Sequence, residues 1–272
     1  LQDEIDELNR EAWVTRVNDS QRSMAISQES LKLAKSIGYP KGIAEGLLNV
    51  GFCNIRLANN DEAMPQLNEA FAIFESLQDL SGQARVYEYL GIIHRNKGDL
   101  GRSLELLMKA LALTENTAVD ENHATHFYQL GVTYKHLGDF ETALEYFYRS
   151  MDACRSFGNT LYIAYSLNLI GSMYLETGDH QKALDYFLQG LPMRQAGGDK
   201  WGEAGSLDNI GITYLKLENF DKAVEYCSRS LEISRGSGDM KSQASALRHL
   251  AEIYKQQGEP ERSARFCKES LA

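Results

Sequence analysis

Proline, paired cysteines and long apolar runs are all scarce in this 272-residue chain, and each shortage removes a class of protein. No stretch approaches the roughly eighteen uninterrupted apolar residues of a membrane span, so a soluble chain is expected. Four prolines leave few forced breaks in helices. The four cysteines, Cys53, Cys154, Cys227 and Cys267, lie far apart with no Cys-x-x-Cys spacing. Neither a disulfide framework nor a zinc ribbon is suggested, and a reducing, cytoplasmic compartment fits best. Basic excess is lacking too: a formal charge of −10 repels phosphate backbones and argues against a nucleic-acid partner. The chain opens at Leu1 without an initiator Met or a charged-plus-apolar leader, from which we expect further sequence before it.

What the chain has in quantity is self-similarity. Gly51, Gly91, Gly131, Gly171 and Gly211 recur every 40 residues, and Ala251 takes the next slot. Ala44, Ala84, Ala124, Ala164, Ala204 and Ala244 stand seven residues before these positions, and Ala63, Ser103, Ala143, Ala183, Ala223 and Ser263 twelve after. Between them run Leu47, Tyr87, Phe127, Leu167, Leu207 and Leu247, then Val50, Leu90, Leu130, Ile170, Ile210 and Leu250, at offsets that share one helical face. Tyr134, Tyr174, Tyr214 and Tyr254 extend that face, while Asn54 and His94 interrupt it in the earlier units. Gly98-Asp99, Gly138-Asp139, Gly178-Asp179, Glu218-Asn219 and Gly258-Glu259 follow, a left-handed C-cap and then an N-cap. Each unit therefore reads as helix, tight turn, helix.

The spacing of Phe127, Leu130-Gly131, Tyr134, Ala143 and Phe147 resembles the tetratricopeptide repeat (TPR) signature, W-x2-L-G-x2-Y…A-x3-F. The 40-residue period exceeds the usual 34 and is similar to the long repeats of Pins/LGN-like scaffolds and of bacterial signalling-protein sensory regions. The resemblance implies an all-α, right-handed superhelix (α-α solenoid) of stacked hairpins, because one hairpin cannot bury its apolar face alone. The expected organisation is a single array over 1–272: a degenerate first unit at 1–38, full units at 41–80, 81–120, 121–160, 161–200 and 201–240, and an incomplete one at 241–272. In the first unit Glu11 is assigned the glycine slot and Ser23 the small slot. The last unit stops at Leu271-Ala272 with no capping helix, suggesting a fragment or an end packed on another chain. Pro65 and Pro192 fall inside second helices, and Gly190-Leu191-Pro192 is the expected irregularity.

In this family the binding surface is the groove lined by first helices. Six and three residues before the glycine, and one and four after it, the resemblance places Phe52, Arg85, Glu88, Ile92, Arg95, Tyr128, Lys135, Tyr165, Asn168, Asp208 and Arg248 there. Asn49 and Asn209, two before the glycine, match the Asn that bonds a ligand backbone in Pins/LGN-like arrays. A peptide would bury apolar anchors on Phe52, Ile92 and Tyr128 and pair acidic groups with Arg95 and Lys135. The Lys/Asn/Arg clamp of chaperone-adaptor TPRs is not matched in adjacent units.

Catalytic and metal chemistry find little footing. His123 and His126 lack a completing ligand. Cys227 and Cys267 share the slot of Phe147 and Phe187 and are expected to be core. The tyrosine series follow the core register and are expected to pack between repeats. The Gly-Asp pairs are turns outside any phosphate-cradling context, and no Ser/His/Asp or Cys/His grouping recurs. The expectation is a non-catalytic module with no cofactor and no metal, binding a protein or peptide segment and serving as the sensory or scaffolding part of a larger signalling protein. The alternative is self-association through a terminal unit, giving a homodimer. No membrane partner is expected.

Overall fold

A computed structural model describes residues 1–16, 19–115 and 121–270, and among them every regular element is a helix. Fourteen follow in order: α1 Gln2–Thr15, α2 Ser20–Ile37, α3 Pro40–Arg56, α4 Asn60–Ser76, α5 Leu80–Asn96, α6 Leu100–Thr114, α7 Glu121–Leu137, α8 Phe140–Phe157, α9 Thr160–Glu176, α10 His180–Ala196, α11 Lys200–Lys216, α12 Phe220–Ser237, α13 Met240–Gln256 and α14 Pro260–Ser270. Leu271-Ala272, where the last repeat breaks off, lies outside the described residues. Among the described residues no helix is long and apolar enough to cross a membrane.

The helix starts are set by side chains. Asp79, Asp99, Asp179, Asn219 and Asp239 each accept a hydrogen bond from the backbone N–H three residues on, which satisfies one of the orphan donors of the following helix. The turns before them need a left-handed residue. Gly98, Gly138, Gly178 and Gly258 supply it without strain, whereas Ala58, Gln78 and Glu218 adopt positive φ (63°, 54° and 58°) in the corresponding turns that lack glycine.

The chain forms two compact units, Leu1–Tyr146 and Phe147–Ala272. In the first, α1 packs on α2, α3 on α4 and α5 on α6, and α1, α3, α5 and α7 also pair successively with one another. Second helices meet only through side chains, as where Lys35 of α2 pairs with Glu69 of α4 at 3.7 Å, whereas the first helices lie closer and make a continuous face. The core of this unit is built around Leu47, Leu48, Leu67, Phe74, Val86 and Ile93. In the second unit α9 packs on α10, α11 on α12 and α13 on α14, and α9, α11 and α13 pair in the same way. Its core gathers Phe187, Leu207, Ile210, Cys227, Leu247 and Leu250. The glycine slots are points of close crossing: a Cβ on Gly171 would stand 2.7 Å from the Phe187 ring, and one on Gly51 2.8 Å from Leu67 Cδ2.

Three expectations need correction. First, Ala12, not Glu11, occupies the glycine slot of the first hairpin. Ala12 is fully buried and its carbonyl accepts from Ser23 Oγ at 2.8 Å, as Ala251 accepts from Ser263 at 2.8 Å, while Glu11 is exposed and paired with Arg22. Ala12 stands eleven residues before Ser23, where Ala251 stands twelve before Ser263, and this shifts the register. Second, the tyrosine ladders stack within a hairpin: Tyr134 on Tyr146, Tyr174 on Tyr186, Tyr214 on Tyr226 and Tyr254 on Phe266, each with centroids 5.5 Å apart. The two rings come from the facing ends of a first and a second helix, so the contact is made before a neighbour is added. Third, Cys267 is exposed although it repeats the slot of buried Cys227, because no further helix covers α14 among the described residues. Pro65 and Pro192 lie inside second helices, as expected, and these continue past them to Ser76 and Ala196; a Cβ on Gly190 would stand 3.3 Å from the Ala164 carbonyl.

Candidate functional site

With Ala12 in the glycine slot, the groove offsets assign Asp6, Asn9, Trp13 and Arg16 to α1. Three of these four line a cavity of about 400 Å³ on the first-helix face of the first unit. Asp6, Asn9, Arg10 and Trp13 of α1 meet Lys41 and Glu45 of α3, Ser81 and Arg85 of α5, and Glu121 and Asn122 of α7. Three carboxylates and three cationic groups line it together, with Trp13 as the aromatic surface.

Arg85 is the centre of the wall. It forms a two-point pair with Glu45 at 3.0 and 2.5 Å across the α3–α5 junction, with both side chains mostly buried. Burial works against its charge, but Glu45 overcomes this and holds the guanidinium above its ordinary range. Trp13 lies between two guanidiniums, with Arg16 3.4 Å and Arg85 5.4 Å from its ring centroid. Arg16 is itself buried and also faces the Phe52 ring at 5.6 Å. Asp6 accepts from Tyr39 Oη at 3.1 Å, and Asn122 Nδ2 donates to Ser81 Oγ at 3.1 Å. The lining is thus preorganised by contacts within the protein.

Other residues assigned to the groove are also engaged within the protein, and a repeating rule governs them. The residue three before the glycine slot reaches the next first helix. Asn9 carries this role on α1: its carbonyl accepts from Asn49 Nδ2 at 3.1 Å, and its side chain donates to Gly42 O at 3.2 Å. Glu88 accepts from Thr125 Oγ1 at 2.7 Å and contacts His126 Nδ1 at 2.6 Å, all three buried. Asn168 accepts from Asn209 Nδ2 at 3.2 Å and Ser206 Oγ at 3.4 Å. Asp208 accepts from Ser245 Oγ at 2.7 Å and contacts His249 Nδ1 at 2.9 Å. Arg95 turns into the α5–α7 junction, reaching Thr133 Oγ1 at 3.3 Å, and burial pushes its guanidinium down. Ile92 is core, Phe52 packs half-buried on Tyr89, and Tyr165 lies under Arg194 at 4.7 Å. Tyr128 and Lys135 are half-buried, and Arg248 is exposed.

His123 and His126 do not share a site: His123 Nε2 contacts Thr114 O at 2.8 Å, whereas His126 turns to Glu88. Asp6, Asn9, Arg10, Trp13, Lys41, Ser81, Glu121 and Asn122 escaped the sequence reading. The available signal was the spacing Ile5, Asn9, Ala12, but it is legible only once the register of α1 against α2 is known.

Tetratricopeptide repeat family models match residues 122–196 and 203–272, and a second such model matches 83–125. The chain belongs to the tetratricopeptide repeat family. A search of curated proteins returned no match. Among solved structures, a Rap protein complexed with Competence and Sporulation Factor is similar over 100% of this chain and 76% of its own, with TM-score 0.76 and 15% identity. BtubC from P. vanneervenii is similar over 80% of this chain and 92% of its own, with TM-score 0.65 and 19% identity. A STAND protein with a tetratricopeptide repeat sensor, PH0952 from Pyrococcus horikoshii, is similar over 96% of this chain and 42% of its own, with TM-score 0.66 and 18% identity. These likenesses are of fold. Such repeats serve as interaction modules.

Proposed function

We propose that the chain is a non-catalytic binding module that takes a protein or peptide segment on the first-helix face of residues 1–146. The observation that carries this is the cavity beside Trp13 and the Glu45–Arg85 pair, whose mixed charges suit a segment presenting both an acidic and a basic group next to an apolar side chain. A structural neighbour covering the whole chain was solved with a bound factor, and another is described as a sensor; both support a sensory or scaffolding role in a larger cytoplasmic signalling protein. The 40-residue Pins/LGN-like repeat type, and the reading of 1–272 as one array of seven units, belong to the same proposal. Of the groove set, Asn49, Phe52, Glu88, Ile92, Arg95, Tyr128 and Lys135 are then largely the scaffold that shapes this face, with Arg85 contacting the ligand, while Tyr165, Asn168, Asp208, Asn209 and Arg248 belong to the first helices of the second unit.

Two tryptophans make the test direct. In a Trp201→Phe background, Trp13 is the sole indole, and peptides selected from a displayed library should change its emission. The double variant Arg10→Glu/Lys41→Glu, at two exposed positions, should weaken them by about tenfold or more. Selected peptides that leave Trp13 emission unchanged and bind the double variant equally would refute this site.

A second reading is self-association, favoured by α14, which has no buried residue. Light scattering across a concentration series separates the two: a dimer lost on Phe266→Asp supports it, and a monomer at all concentrations removes it.

A further inference from the structure

Three side chains from three consecutive helices converge in the second unit. Asp208 of α11, Cys227 of α12 and His249 of α13 each place one ligand atom so that all three lie within 4.8 Å of one another. Asp208 and Cys227 are buried, and the His249 side chain is 18% exposed, leaving the trio open on one side.

The array supplies its own control for this cluster. Forty residues earlier the same three slots hold Asn168, Phe187 and Asn209, where two amides bond each other beside a ring and no ligand set exists. The packing problem at this junction is therefore solved without charge. One repeat later, amide, ring and amide are replaced by carboxylate, thiol and imidazole.

We propose that Asp208, Cys227 and His249 form a binding site for a single zinc ion, with solvent as the fourth ligand. The donor set is the reason for the choice of metal. Thiolate and imidazole favour zinc over magnesium or calcium, and a tetrahedron with bonds of about 2.0–2.3 Å has ligand atoms about 3.3–3.8 Å apart. Within a 4.8 Å cluster, side-chain shifts below about 1 Å reach that geometry, with Asp208 and His249 moving apart from 2.9 Å.

Charge also balances. Without metal, Cys227 donates its thiol proton to Asp208; burial first, and then this carboxylate, push the thiol up and keep the proton in place. Zinc displaces that proton to solvent, and the ion bonds to His249 Nδ1 with the remaining imidazole proton on Nε2. One carboxylate, one thiolate and one divalent ion then sum to zero in a buried position. Ser245 Oγ, donating to Asp208 Oδ2 at 2.7 Å, fixes the second carboxylate oxygen as an outer partner.

The test uses the full chain carrying Cys267→Ser, which removes the one exposed thiol. Cobalt is titrated first as a spectroscopic substitute, then zinc by competition with a chromophoric chelator. The expected result is one equivalent bound, a thiolate-to-cobalt charge-transfer band, and release of at least one proton per zinc. Cys227→Ser and His249→Ala should each weaken zinc by more than about 100-fold. Because Cys227 is core, thermal unfolding with and without zinc accompanies each variant: zinc should raise the midpoint of the parent and leave both variants unmoved. A chain that binds no cobalt, or whose band persists in Cys227→Ser, overturns the proposal.

Discussion

The two units solve the same problem, holding one first helix on the next, with different chemistry. In residues 1–146 the ties are largely ionic or strongly polar: Glu45 with Arg85, Glu88 with His126 and Thr125, and Arg95 with Thr133. In residues 147–272 the tie at α9–α11 is a pair of amides and that at α11–α13 is Asp208 with His249 and Ser245, and three stacked aromatic pairs fasten the hairpins. Two hairpins of the first unit have Asn54 and His94 in the slot that holds tyrosine from Tyr134 onward, so Asn54 bonds Gln66 at 2.9 Å instead of stacking. In the first unit the ionic ties leave a polar, preorganised face beside Glu45 and Arg85, and that is where the cavity lies.

The comparison breaks most readily at the polar ties. Glu88→Ala strands a buried imidazole and leaves Thr125 Oγ1 only its bond to Asn122 O, and should cost about 3–5 kcal/mol in urea unfolding. Asn168→Ala takes the acceptor from a partly exposed amide and from the buried Ser206 hydroxyl, both neutral, and should cost about 1–2 kcal/mol. Equal losses would erase the contrast between the α5–α7 and α9–α11 junctions.

A smaller effect separates the cores. Gly171→Ala pushes a Cβ against the rigid Phe187 ring at 2.7 Å, whereas Gly51→Ala meets the flexible end of Leu67 at 2.8 Å. The first should cost about 2–3 kcal/mol and the second about 1 kcal/mol. Equal midpoints in the same assay would show that the ring yields as readily as the leucine.

The smallest effect is electrostatic and on the surface. Hydrogen bonds from Lys182 hold the Asp179 carboxyl below its ordinary range, and hydrogen bonds from Lys109 and then Arg102 do the same for Glu105. A depressed carboxylate contributes stability above its unfolded pKa, and that contribution is lost as pH falls through the folded value. Lys182→Met should move the Asp179 titration upward in an NMR pH series and leave Glu105 unmoved; Lys109→Met should do the reverse.

Much of this was legible in the sequence. Helix pairs, their caps and the buried small residues follow from a 40-residue period, since helical offsets and Gly-Asp turns are local properties. The candidate site was legible only in outline. Arg85 was identified by its offset, but its partner Glu45 stands 40 residues away and the cavity beside it depends on α1. Glu88, Asn168 and Asp208 were assigned to a groove because offset specifies a helical face and not what the side chain meets there. Each found the next helix first.

By itself, then, the sequence determined that this chain is an array of helical hairpins, because a repeated pattern of small and large residues leaves only stacked neighbours to bury its faces. Tertiary structure decided the register of the first hairpin, where Ala12 and not Glu11 meets Ser23. It also decided that Cys227 is sealed beside Asp208 and His249 while Cys267, in the same slot, is exposed. A slot specifies a direction on a helix. Burial and partners need a neighbouring helix, and that is a non-local property.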